Sequence, residues 1–360
     1  MKHCRNPLHC ILPPSILESI AVNGDAEQRA WAVGALGRDH AIRLARVENA
    51  KVRGDGPREG ADALAVRGAV KPNRVIRDAA GTENVNGEVV RRERQKVTGD
   101  KAVDEAYKGL GDTFAFFNDV FGRNSIDDAG MPLRGVVHFG DRYANAFWDG
   151  RRMVFGDGDG QIFRRMTRSL DVIGHELGHG VTEDEAGLEY FGQSGALNES
   201  MSDVFGSLVE QHKQGQTAAE ASWLIGNEVW TPGIKGDALR SMKAPGEAYD
   251  DPLVGKDPQP AHMKKYVETN QDNGGVHINS GIPNHAFYTV ATTLGGRSWE
   301  GAGPIWFEAL RSPALGTRSS FQRFAEITVR VAQQLHGSAS AEAKAVFGGW
   351  EKVGVPAPKP

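Results

Sequence analysis

The stretch Asp171-Val172-Ile173-Gly174-His175-Glu176-Leu177-Gly178-His179-Gly180-Val181-Thr182-Glu183 constrains this chain more than any other. On a helix, His175 and His179 lie four residues apart and stack on one face, one turn from each other. Two neutral imidazoles so placed share a single zinc ion, and the carboxylate of Glu176 reaches a water on that metal. Val172, Ile173 and Leu177 bury the remaining faces, so the histidine face must line a cleft rather than open solvent.

A zinc ion needs a third protein ligand, and a catalytic site keeps the fourth position open for water. A second helical pattern (Leu197, Met201, Val204, Phe205, Leu208) follows, with Glu199 expected at its start. Glu199 is the candidate third ligand beside His175 and His179, although a carboxylate at a helix start is also favourable with no metal. Asp203, one turn on, is placed to accept the free ring N–H of a zinc histidine. Asn198-Glu199-Ser200 spells a glycosylation sequon but overlaps the zinc ligand, so it is set aside.

Further segments stand collinear with this pair of helices. They are Asn145-Ala146-Phe147-Trp148, Met153 to Gly160, Ala186-Gly187-Leu188-Glu189-Tyr190, Thr231-Pro232-Gly233 through Arg240, and Asp272-Asn273-Gly274-Gly275-Val276-His277-Ile278-Asn279-Ser280-Gly281. On these residues the chain, from about Arg74 to its C-terminus, resembles the thermolysin family of zinc metallopeptidases. The resemblance implies an α+β, two-domain thermolysin-like (zincin) fold. A mixed α/β N-terminal domain (73–184) and a mainly α-helical C-terminal domain (185–360) would flank the active-site cleft.

The resemblance also implies roles. Glu176 is the general base, and Tyr190 and His277 are donors to the oxyanion, with Asp272 orienting and charging the histidine. Asn145 and the Ala146 carbonyl hold substrate amide groups, and Arg240 holds a substrate carbonyl. Phe163, Met166, Val172, Ile225 and Leu239 match the lining of the pocket for the residue after the scissile bond, which implies cleavage before Leu, Phe, Ile or Val. Asp171 and Glu210 match calcium ligands of the family. Ser222, Leu224 and Asn227 stand where its other acidic calcium ligands would be, so the expectation is one calcium ion or none.

Read without the resemblance, several of these residues have plainer roles. Asp272-Asn273-Gly274-Gly275 is a tight turn, since two glycines permit positive φ. Gly156-Asp157-Gly158-Asp159-Gly160 lacks the Lys of a phosphate-binding loop and the ligand spacing of an EF-hand, and is taken as a turn. His138, on an expected strand from Gly135 to Gly140, is expected to be a satisfied structural histidine.

Residues 1–72 read differently from the rest. Cys10-Ile11-Leu12-Pro13-Pro14 is an apolar strip that its prolines keep extended. Helical patterns follow over Ile16–Val22 and Asp25–Val47, the second weakened by Gly34 and Gly37. Lys51 to Asp62 is rich in Gly, Pro and charge, the composition of an exposed linker where nicking concentrates. The segment resembles the short, Pro-Pro-bearing propeptide of the protealysin-like branch of the family. It is therefore expected to act as an intramolecular inhibitor, with Cys10, Pro13 and Pro14 on the cleft. Cys10 is read as a buried apolar thiol, with metal ligation as the alternative.

Composition closes other classes. The 360 residues carry 42 basic and 46 acidic side chains, a net −4, so no basic field attracts nucleic acid or anionic lipid. No run of about 18 apolar residues offers a membrane span. Both cysteines, Cys4 and Cys10, fall in the first ten residues, and no apolar leader core precedes a small-residue cleavage site. The expectation is a monomer, cytoplasmic or exported by a non-classical route, acting on peptides and proteins. Two rivals to the endopeptidase reading are a catalytically silent, peptidase-shaped zinc-binding protein and an aminopeptidase-type H-E-x-x-H enzyme.

Overall fold

The computed structural model describes residues 9–52 and 70–359. Cys4, and the expected linker from residue 53 onward, lie outside them. The N-terminal segment contributes a short strand β1 (His9–Cys10), helix α1 (Pro14–Asn23) and helix α2 (Ala26–Val52). Pro14 opens α1, where its missing N–H costs nothing and its fixed φ suits a helix. Helix α2 runs unbroken through Gly34 and Gly37, which face open space; Trp31, Ala32 and Ala35 supply its buried face. Tertiary packing outweighs the propensity cost that suggested a split.

The catalytic body begins with β2 (Arg74–Asp78), β3 (Glu88–Arg92), α3 (Lys101–Phe121), β4 (Leu133–Val137), β5 (Ala146–Trp148) and β6 (Met153–Phe155). Asp100 caps α3 by accepting from the Val103 N–H at 3.0 Å, and Gly122 ends it in the left-handed region. Strand β4 stops at Val137, short of the expected Gly140, because His138 takes a positive φ of 54°. From there the His138 ring bridges Asp157 and Asp100 (2.7 and 3.1 Å). Residues 156–159 are irregular rather than the expected turn and the chain bends from Gly160; Gly158 and Gly160 take positive φ (76° and 72°), and Asp159 accepts from the Ile162 and Phe163 N–H groups.

The sheet order is β1-β5-β6-β4-β2-β3. Strand β5 would be its edge, and β1 covers that edge in antiparallel register, His9 opposite Trp148 and Cys10 opposite Phe147.

Helices α4 (Leu170–Glu185) and α5 (Gly192–Gln214) form the centre of the molecule and are buried over most of their length. They approach closely because glycines face the contact. A Cβ on Gly206 would lie 2.4 Å from the Asp171 carbonyl oxygen. Glu199 sits two turns into α5, not at its start as expected; the Gly- and Ser-containing opening Gly192-Gln193-Ser194-Gly195 had hidden the first turns.

Strands β7 (Leu224–Ile225) and β8 (Arg240–Ser241) pair antiparallel. Helices α6 (Asp272–Asn279), α7 (Gly281–Leu294), α8 (Ala302–Leu310), α9 (Phe321–His336) and α10 (Ala341–Lys352) complete the C-terminal half. Asn273, Gly274 and Gly275 inside α6 have φ of 51°, 82° and 75°, so regular helix begins only at Val276, and His277 projects from its first turn. One apolar core runs from Ile11 to Val355 through both halves. Among the described residues no helix is long and apolar enough to cross a membrane.

Candidate metal centre and active site

Helix α4 puts His175 and His179 on its inner face, and α5 brings Glu199 opposite them. All three are fully buried. Their Nε2 atoms lie 3.0 Å apart, with Glu199 carboxylate oxygens 3.6 Å from His175 Nε2 and 3.4 Å from His179 Nε2. Zinc with ligands at about 2.0–2.1 Å in a tetrahedron separates them by roughly 3.4 Å, so the three atoms stand near the corners such an ion needs.

The donor chemistry agrees. His175 Nδ1 donates to Asp203 Oδ1 and His179 Nδ1 to Asn198 Oδ1, both at 2.7 Å, which turns the Nε2 lone pairs toward each other. Ser202 Oγ is 2.9 Å from His179 Nδ1. Glu199 Oε2 is buried without a hydrogen-bond partner. Facing lone pairs and an unsatisfied carboxylate oxygen need a cation between them. Among the described residues this is the only group of three or more candidate ligands, and Cys10 is not part of it. Cys10 belongs to a separate buried apolar cluster with Phe139, Tyr143, Phe147 and Val154.

Glu176 is fully buried beside this group. Its Oε2 accepts from the Trp148 N–H at 3.0 Å and its Oε1 has no partner. Burial, and then the Glu199 charge, push its carboxyl well above the usual range. A divalent cation held by Glu199 works in the opposite direction.

Asp203 is a hub. It accepts from His175, twice from Arg240 (2.8 Å each) and from Asn284 Nδ2 (2.8 Å). Burial alone would raise its pKa, but Arg240 and His175 hold it low. Its charge in turn keeps the buried Arg240 guanidinium protonated.

Across the cleft, His277 Nδ1 is 2.6 Å from Asp272 Oδ1, and the His277 N–H donates to Asp272 Oδ2 at 2.8 Å. Burial alone would lower the His277 pKa; Asp272 and Glu199 turn the shift upward. Tyr190 donates its hydroxyl to Glu199 and lies 3.3 Å from His277 Nε2.

The pocket candidates Phe163, Met166, Val172, Ile225 and Leu239 are all buried in the main core. Phe163 stacks on Trp230 (centroids 4.9 Å apart) and lies 6.1 Å from Trp31 of α2.

The N-terminal segment threads this site. The Ile11 N–H donates to the Ala146 carbonyl (3.3 Å) and the Leu12 N–H to Asn145 Oδ1 (3.2 Å). Arg240 Nη1 donates to the Ile11 carbonyl (2.9 Å) and His277 Nε2 to the Cys10 carbonyl (2.9 Å). Pro13 and Pro14 turn the chain from this extended stretch into α1.

Asp171 accepts from Ser169, Val172 and Gly226, while Glu210 accepts from Gln214 Nε2 at 3.1 Å. Burial raises both carboxyls, and the Asp171 charge pushes Glu210 further up, but no third ligand atom among the described residues joins them to make a metal cluster.

Sequence reading missed Asn198 and Ser202 behind His179, Asn284 behind Asp203, and Asp39. The Asp39 carboxylate, on α2, accepts from Tyr143 Oη (2.7 Å) and Asn145 Nδ2 (3.0 Å). Asn198 and Ser202 lie one turn apart on α5, but the histidine they reach on α4, like the partners of the other two, is set by the tertiary fold.

A buried His-His-Glu centre between a mixed sheet and a helical half defines the class as a zinc metallopeptidase. Residues 66–183 match the family model described as the thermolysin metallopeptidase catalytic domain, and residues 186–355 match that of its alpha-helical domain. This chain belongs to the thermolysin family. It is 50% identical over 349 residues to an extracellular metalloprotease of Pectobacterium carotovorum subsp. carotovorum, covering 97% of each chain. It is 51% identical over 196 residues to an extracellular minor metalloprotease of Serratia marcescens, spanning 54% of this chain and 56% of that one. Its structure matches the precursor of protealysin, a metalloproteinase from Serratia proteamaculans, with a TM-score of 0.86, 49% identity and coverage of 97% and 100%. The chain is a protealysin-like member of the family in its precursor form, a zinc endopeptidase acting on peptides.

One expectation is overturned. A cytoplasmic or non-classically exported chain was inferred, yet relatives are named extracellular, which points to secretion. That expectation drew on an unrecognised leader pattern and sparse cysteines, and neither is a positive signal.

Proposed function

We propose that this chain is the precursor of an endopeptidase that cuts on the N-terminal side of Leu, Phe, Ile or Val. His175, His179 and Glu199 hold the zinc, with Asp203 as the partner of His175. When bound, zinc supplies a water of pKa about 7 and polarises the carbonyl under attack.

The chain's own groups do the rest. Asn145, the Ala146 carbonyl and Arg240 lay the substrate backbone along the β5 edge by strand addition. Glu176 takes the water's proton and delivers it to the leaving nitrogen. His277, oriented by Asp272, and Tyr190 donate to the oxygen that becomes charged. Phe163, Met166, Val172, Ile225 and Leu239 form an apolar pocket for the residue after the cut. We further propose the division into a pro-segment (1–72), an N-terminal domain (73–184) and a C-terminal domain (185–360), with the pro-segment as inhibitor.

The observation carrying this reading is the backbone of Cys10, Ile11 and Leu12 lying against these same polar groups, with chain continuing on both sides. A site built for a free substrate amino terminus would have no room for the upstream residues, which argues against an aminopeptidase. The test uses peptides blocked at both ends and the full chain after protease nicking of the linker. Chelator-sensitive cleavage before apolar residues is expected. Zinc binding with no turnover would instead establish the silent, binding-only protein, and equal cleavage before Asp or Lys would remove the pocket assignment.

A further inference from the structure

The inhibitory strand lies in the cleft as a substrate lies, and this carries a consequence for its own covalent fate. We propose that the Cys10–Ile11 peptide bond is a self-cleavage site, hydrolysed within the same molecule, after which residues 11–52 remain docked. The proposal rests on the endopeptidase reading above and deepens it.

Four contacts single out this bond. The Cys10 carbonyl oxygen accepts from His277 Nε2 at 2.9 Å, the donor assigned to the developing oxyanion, and the Tyr190 hydroxyl lies 3.3 Å from that same nitrogen while donating to Glu199. The Ile11 N–H, the nitrogen that would leave, donates to the Ala146 carbonyl at 3.3 Å and faces the Glu176 carboxylate. The next carbonyl, that of Ile11, is held by Arg240 at 2.9 Å, which is a gripping contact. Ile11 is fully buried in the core cluster that contains Phe163, Val172 and Leu239, as an apolar residue after the cut should be.

Neighbouring bonds fit worse. The Ile11–Leu12 carbonyl is turned to Arg240 and away from His277, and Leu12–Pro13 has no N–H to be held. Among the described residues Cys10 does not join the His175, His179 and Glu199 group.

The step balances as a hydrolysis. The water oxygen bonds to the Cys10 carbonyl carbon, its proton passes through Glu176 to the Ile11 nitrogen, and the C–N bond breaks. Cys10 is left with a carboxylate and Ile11 with an amine. That amine stays against Ala146 and Glu176, because the segment behind it is anchored separately. Trp31 Nε1 donates to the Arg142 carbonyl at 3.0 Å, and Asp39 holds Tyr143 and Asn145. The cut thus trims the inhibitor without releasing it, and activation needs a second cut beyond α2.

The experiment purifies the full chain in chelator, adds zinc, and follows intact mass and N-terminal sequence at two protein concentrations tenfold apart. The expected result is loss of residues 1–10, a new N-terminus at Ile11 and a first-order rate equal at both concentrations. Blocked-peptide hydrolysis stays low throughout, and Glu176→Gln, still binding zinc by metal analysis, keeps the bond intact. A rate that rises tenfold with concentration overturns the intramolecular claim. An intact Cys10–Ile11 bond in a chain that cleaves blocked peptides once its linker is nicked overturns the site while sparing the endopeptidase reading. A nicked chain that cleaves nothing removes both.

Discussion

The helical wall of the cleft and its sheet wall hold their polar groups by different means. On the helical side, His175, His179 and Glu199 are positioned by Asp203, Asn198, Ser202 and Arg240, side chains that all belong to the catalytic body. On the sheet side, β5 offers backbone groups, and their partners at Cys10, Ile11 and Leu12 belong to the pro-segment. The metal-holding part of the first wall is complete in itself and stays when the pro-segment leaves, although Arg240 and His277 of that wall also reach the Ile11 and Cys10 carbonyls. The second must be satisfied by pro-segment, substrate or water, and that interchange is what lets one surface serve for inhibition and for catalysis.

The comparison breaks first at the helical wall. Glu176→Gln keeps the shape of the side chain and removes the base, so the nicked enzyme should lose about 10²–10⁴ in kcat at unchanged zinc content. An equal loss of zinc would show that Glu176 builds the wall and does not work on it. Asp203→Asn keeps an acceptor for His175 but weakens its charge against His175 and Arg240. Zinc affinity, measured by chelator competition, should fall about 10–100-fold. An unchanged affinity would mean that Asp203 serves Arg240 alone.

At the sheet wall the expected effects are smaller and confined to the precursor. Asp39→Ala leaves the Tyr143 hydroxyl and one Asn145 N–H without their buried acceptor, at about 1–3 kcal/mol, so peptide hydrolysis by the uncleaved chain should rise roughly 5- to 100-fold. The nicked enzyme, already rid of α2, should keep its kcat/KM. A matching change in the nicked enzyme would place Asp39's influence on the catalytic body itself.

How much of this was legible in the sequence follows the same division. His175, Glu176 and His179 are fixed by one helix's own period, and Glu199 with Asp203 by the next. Spacing of three and four residues is therefore enough to propose them. The angle between the two helices is not written in either period, so Asn198 and Ser202, which need it, went unread. Trp31 and Asp39 looked like ordinary residues of an amphipathic helix, since their partners Arg142, Tyr143 and Asn145 lie over 100 residues away. The extended strip at Cys10–Pro14 was visible from its prolines, but its register on β5 is a tertiary fact. Asp272-Asn273-Gly274-Gly275 was readable as a turn because positive φ selects glycine, whereas the positive φ at His138 had no such mark.

The smallest effect concerns the acid pair behind α4, remote from both walls. Burial, followed by the charges of Asp171 and Glu228, pushes Glu210 up to about 8 from an ordinary 4.5. The native state therefore holds this proton more tightly than the unfolded chain, and unfolding free energy falls as pH rises from about 4.5 to 8. The stabilising contribution is complete below the unfolded value and gone above the folded one. Glu210→Gln removes the titration and should raise the melting temperature of the chelated protein at pH 8, leaving it unchanged at pH 4. Calcium then separates an ion site from a bare acid pair. An ion bridging Asp171 and Glu210 would abolish the slope in the parent and leave the variant untouched, whereas a parent slope indifferent to calcium reduces the expectation of one ion or none to none.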